Sequence, residues 1–122
     1  MAKLTKQDVL SPFIGNTLNE RYASLTWHEF EGDFILYNYD WMDNPDLRKC
    51  FGLTDKLHED WLYRGIDYAI HLSVDDGKIH CCFVEKIRMG HCGHFKPNVH
   101  ILTPTTQELR IARRILEYIT KI

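Results

Sequence analysis

The sequence predicts an α+β domain: an antiparallel sheet of about five strands (two hairpins plus a short strand), short connecting helices, and a C-terminal amphipathic helix packed on one sheet face. Three observations carry this prediction. Apolar and polar residues alternate through Ile66, Tyr68, Ile70, Leu72 and Val74, break at Asp75-Asp76-Gly77 and resume at Ile79, which is a hairpin pattern. Two aromatic-rich runs, Tyr22 to Phe30 and Asp33 to Trp41, flank Glu31-Gly32 as a second hairpin. Leu109, Ala112, Ile115, Leu116, Ile119 and Ile122 recur at helical spacing, with Arg110, Arg113, Arg114, Glu117 and Lys121 turned the other way.

The elements follow in order. Thr5 can cap a short helix from Lys6 to Leu10, stapled by Leu4 and Val9 and ended by Ser11-Pro12. After the first hairpin, Asn44-Pro45 is an N-cap followed by a first-turn proline, and Gly52 supplies the glycine that closes a helix. Thr54 opens the next, with Leu57, Trp61 and Leu62 on one side and Gly65 at its end. Beyond the central hairpin, Gly90, Gly93 and Pro97 mark a loop and Val99 to Leu102 a last short strand. Thr103-Pro104 or the box Thr105 to Glu108 starts the final helix.

Composition bounds the function. The 122 residues make one domain, 1–122, with 44% hydrophobic and 26% charged residues. Fifteen basic against seventeen acidic residues, net -2, argue against nucleic acid or an anionic membrane as a partner of the whole surface. The start lacks a signal-peptide pattern, and no apolar run approaches the ~20 residues of a bilayer span, so a cytoplasmic protein with reduced thiols is expected. No phosphate loop, dinucleotide fingerprint or nucleophile elbow is present, and no catalytic residue is assigned.

Two clusters remain. Between His71 and His100 lie five of the seven histidines and three of the four cysteines. If Asp76-Gly77 is a two-residue turn, Val74 faces Ile79, Ser73 faces His80, Leu72 faces Cys81, His71 faces Cys82 and Ile70 faces Phe83. Cys81, Phe83 and Ile87 then join the core face, and Asp67, His71, Ser73, His80, Cys82 and Lys86 share the other. His71, His80 and Cys82, with His100 from the next strand, are the candidate zinc ligands of a small hydrolase or nucleic-acid binder, and His71 beside Cys82 could form a base and thiol pair. No Cys-x-x-Cys or His-Glu-x-x-His spacing supports this, and a half-exposed sheet face satisfied by water is the commoner meaning.

The second cluster is acidic. Glu29, Glu31, Asp33, Asp40, Asp43 and Asp46 occur with no intervening Lys or Arg, interleaved with aromatic residues. Complementary charge steers association and aromatic groups anchor it, so Glu29, Glu31, Asp33, Tyr39, Asp40, Trp41 and Asp43 are the candidate docking residues for a basic protein partner. The leading expectation is a protein-binding accessory or inhibitor module that is not an enzyme and uses no cofactor. Lys86, Arg88, Lys96, Arg110, Arg113, Arg114 and Lys121 make the last third basic, a pattern that usually means a solvated helix face.

Overall fold

The computed structural model describes the backbone of residues 5–92 and 96–121, with side chains for all of these except residues 89–92 and 96–98. Five strands, β1 (His28–Phe30), β2 (Asp33–Tyr37), β3 (Ile66–Asp75), β4 (Lys78–Cys92) and β5 (Lys96–Leu102), form one antiparallel meander in sequence order. The helices are α1 (Lys6–Leu10), α2 (Pro45–Phe51), α3 (Asp55–Arg64) and α4 (Thr106–Thr120). The α+β architecture read from the sequence is therefore the one observed.

The caps act as their chemistry dictates. Thr5 and Asp8 close a capping box on α1, and Asn44 Oδ1 accepts the Asp46 and Leu47 N–H groups ahead of Pro45. Of the two candidate starts for α4, the Thr105–Glu108 box is used. Gly52 adopts φ +76 after α2, and this left-handed conformation calls for glycine; a Cβ there would lie 2.7 Å from Arg114 Nη1, the flexible end of a side chain that can move aside. Glu31-Gly32 and Asp76-Gly77 each have two consecutive positive φ angles, the mark of a type I′ turn.

Three expectations are corrected. The run Tyr22 to Phe30 is mostly not strand: Asn19 caps a 3-10 turn over Glu20–Ser24, and only His28–Phe30 pairs. Strand β2 likewise stops at Tyr37, because the buried Asn38 replaces pairing with side-chain bonds. Its Nδ2 donates to Ile66 O at 3.0 Å and its Oδ1 accepts the Tyr68 N–H at 3.3 Å. The loop expected around Gly90 and Pro97 is instead an extension of the hairpin, with Gly90 opposite Asn98 and His91 opposite Pro97. Gly93 lies outside the described residues.

The largest correction is of register. Asp76-Gly77 is the turn, and Val74 does face Ile79, but the pairing slips at His80. Ser73 pairs with Cys81, Leu72 with Cys82, His71 with Phe83 and Ile70 with Val84. One extra residue in β4 is a β-bulge, and it moves every later side chain to the opposite face. The cause lies in the N-terminal segment, which crosses this point. The Gly15 N–H donates to Ile79 O, the Ile79 N–H to Asn16 O and the Leu18 N–H to Gly77 O, and Thr17 bridges to Lys78. The backbone of Gly77 and Ile79 is thus bonded to the crossing loop where the ladder slips.

All the helical packing lies on one face. Ile66, Tyr68, Ile70, Leu72, Cys82 and Val84 belong to a core completed by Trp41, Phe51, Trp61 and the Leu109, Ile111, Ala112, Ile115, Leu116 and Ile119 stripe of α4. At ~25 cal/mol per Å² of apolar surface, this burial is the main stabilising term. Lys86, expected outside, is buried beside Glu108.

Candidate functional site

The slipped register dismantles the proposed metal set. Cys82 is buried on the core face, with its thiol 3.6 Å from Leu10 O. Burial, with a smaller contribution from Cys81, pushes that thiol up to about 11, so it is neither a ready thiolate nor a partner for His71. His71 lies on the other face, His80 is exposed at the bulge, and His100 is exposed opposite Arg88. Among the described residues, no three His, Cys, Asp or Glu groups converge to hold a metal ion. Within the same His- and Cys-rich stretch, the Cys92 side chain, Gly93 and His94 lie outside the described residues.

The acidic segment divides in two. Glu29, Glu31, Asp33 and Asp43 are exposed and Tyr39 is half-exposed, but Trp41 is 2% exposed and packs edge-on against Phe51 and Trp61. Trp41 is therefore a core residue, not a docking residue. Asp40 has a structural part too: its carboxylate accepts the Tyr37 N–H at 2.8 Å and contacts His28 Nε2 at 2.9 Å. Asp43 stands 3.8 Å from His58 Nε2, a distance at which the pair contributes little at an exposed carboxylate.

Several of the basic residues are engaged by neighbours. Lys86 is buried, Arg113 and Lys121 pair with Glu117, and Arg114 lies against Gly52. A cleft of about 410 Å³ lined by Arg21, Cys50, Arg114, Glu117, Tyr118 and Lys121 adjoins the end of α4. Arg21 there donates to Lys121 O and lies 5.0 Å from the Tyr118 ring centre. It serves the orphan carbonyls of the helix C-terminus, whose dipole repels anions.

What the sequence reading missed is the second face of the sheet. Because side chains alternate, the outward positions run across all five strands: Phe30, then Asp33, Ile35 and Tyr37, then Asp67, Ala69, His71 and Ser73, then Cys81, Phe83, Glu85 and Ile87, then Val99 and Ile101. None of these residues belongs to the hydrophobic core cluster, although Ala69 is itself buried. Phe30, Phe83, Val99 and Ile101 are exposed, Ile101 by 81%. Several large apolar side chains thus stand exposed on one sheet face, interspersed with Asp33, His71 and Glu85.

Away from the hairpin tip, the charge on this face is negative. Asp33, Asp67 and Glu85 stand among the apolar groups, whereas the outward cation among the described residues is Lys78, at the hairpin tip opposite Asp75. Asp33 Oδ1 accepts the Ser73 hydroxyl at 2.6 Å. His71 stacks on Phe83 with ring centres 4.2 Å apart, and its Nε2 is buried without a hydrogen-bond partner 4.0 Å from Glu85. Burial lowers its pKa, against smaller opposing contributions from Glu85 and Asp33, so the ring is neutral near pH 7.

Comparison of the chain with protein-family models, curated proteins and solved structures finds no match.

Proposed function

We propose that this protein is a binding module, an accessory or inhibitor protein that recognises a basic, partly apolar segment of a protein partner on the open face of its sheet. The observation that carries the reading is the combination on that one face of uncovered Phe83, Val99 and Ile101 with Asp33, Asp67 and Glu85. Apolar groups supply the affinity of such contacts, and uncompensated carboxylates select a cationic partner and speed its approach. Of the acidic segment, Asp33 and Tyr39 contribute to this face, while Glu29 and Glu31 border it.

The test uses a synthetic amphipathic peptide alternating lysine and leucine, its glutamate counterpart, and amide and methyl NMR of the protein. The lysine peptide should perturb Phe83, Ile87 and Ile101 and leave the α4 helix unmoved. Asp33→Lys with Glu85→Lys should weaken binding roughly tenfold or more and flatten its salt dependence. Perturbation of the helical side, equal binding of the glutamate peptide, or self-association that hides the face would each overturn the reading.

A further inference from the structure

We infer that the Tyr37–Tyr39 stack on the open face is a cation-recognition site that takes the guanidinium of an arginine. This deepens the docking reading above and rests on it, because it specifies which side chain the basic partner places there.

The two rings lie 4.9 Å apart and 9° from parallel. Each covers one face of the other, and Tyr39 remains 50% exposed. His28 stands edge-on to both, 5.5 Å from Tyr37 and 6.3 Å from Tyr39. The frame is fixed before any ligand arrives. Asp40 holds His28 Nε2 through both carboxylate oxygens, at 2.9 and 3.0 Å, and caps the Tyr37 N–H at 2.8 Å. A cation over an aromatic face is attracted by the ring quadrupole, more so when the surroundings are already negative and partly dry.

Asp67 supplies that surrounding. It lies on β3 two residues before Ala69, which pairs with Tyr37, and so occupies the same outward row. Among the described residues it makes no ion pair or side-chain hydrogen bond, unlike Asp40 and Asp33. Burial raises its pKa, as expected of a carboxylate without a partner, and Tyr39 is raised by burial first and then by Asp40, Tyr37 and Asp67. A guanidinium suits this geometry better than an ammonium. Its plane can stack on the Tyr39 ring while its in-plane N–H groups donate to the Asp67 carboxylate.

The probe is N-acetyl-arginine amide, with the citrulline compound as its neutral isostere, titrated to the solubility limit against the intact protein. The Tyr37 and Tyr39 ring resonances should move saturably with arginine and not with citrulline. Asp67→Asn, which preserves shape, should weaken the response about fivefold, and Tyr39→Leu should remove it. No ring response, an equal response to citrulline, or indifference to Asp67→Asn would overturn the assignment. Docking of the lysine–leucine peptide on Phe83 and Ile101 without any ring response to arginine sinks this inference alone. An arginine response without peptide docking sinks the wider reading instead.

Discussion

Lys86 Nζ lies 2.7 Å from Glu108 Oε1 in the interior, with 7% and 0% of the two side chains exposed. Glu108 is also the third residue of the α4 capping box, where its carboxylate accepts the Thr105 N–H, and it accepts the Trp61 indole N–H at 2.7 Å. One carboxylate therefore ties the start of α4 to β4 and α3. Taking one partner away leaves the other charge buried without compensation, so Lys86→Met should cost about 3–5 kcal/mol in urea unfolding. Lys86→Met combined with Glu108→Gln should recover part of that loss, because neither buried charge remains, although the single amide oxygen can accept only one of the Thr105 and Trp61 N–H groups, which bond to different carboxylate oxygens. A single substitution costing less than about 1 kcal/mol would mean that water reaches the pair.

The bulge at His80 makes a chemical prediction. Cys82 is buried and its thiol is pushed up to about 11, whereas Cys50 and Cys81 are exposed. Alkylation of native protein near pH 8, read by site-resolved mass spectrometry, should label Cys50 and Cys81 within minutes and Cys82 only on unfolding. The unslipped register would give the opposite order for the adjacent pair, so the peptide carrying Cys81-Cys82 decides between them.

Trp41 and Asp43 separate core from surface within the acidic segment. Trp41→Ala should destabilise by about 3–5 kcal/mol, as buried aromatic truncations do. Asp43→Lys should stay within about 0.5 kcal/mol, in keeping with an exposed carboxylate remote from core contacts. Asp40→Asn belongs with the first class in kind though not in size, since it weakens both the Tyr37 cap and the contact to His28. Thermal midpoints of the three variants rank them directly.

Elements announced by strong local chemistry were legible in the sequence. Asn44-Pro45, the Thr105–Glu108 box and Asp76-Gly77 act through neighbours within a few residues, and each stands where it was expected. The site was less legible, because a single bulge reverses which residues share a face. Its cause, the bonding of Gly15 and Asn16 to Ile79, joins residues more than sixty positions apart. Alternation assigned Phe83 and Ile87 to the core for the same reason, and so concealed the open face. Trp41 reads as a docking aromatic among acids until Asn38 turns the chain inward, a long-range effect that composition does not carry.

Acidification should loosen the protein in two steps, and their order follows from two carboxyl and imidazole environments. His71 has a pKa below its ordinary 6.5, chiefly through burial, so the unfolded chain takes up this proton first and stability falls as pH drops below that value. For Glu108, burial alone would raise the pKa, but hydrogen bonds from Lys86, Thr105 and Trp61 outweigh it and hold the carboxyl below 4.5. Its stabilisation is present above the unfolded value and is lost as pH falls through the lowered one, a window beneath that of His71. His71→Phe, which keeps an aromatic ring against Phe83, should flatten the upper step and leave the lower one. Lys86→Met should shrink the lower step and leave the upper. Unfolding free energies measured from pH 8 to pH 3 on the three proteins test this, and an upper step that survives His71→Phe would assign it to another group.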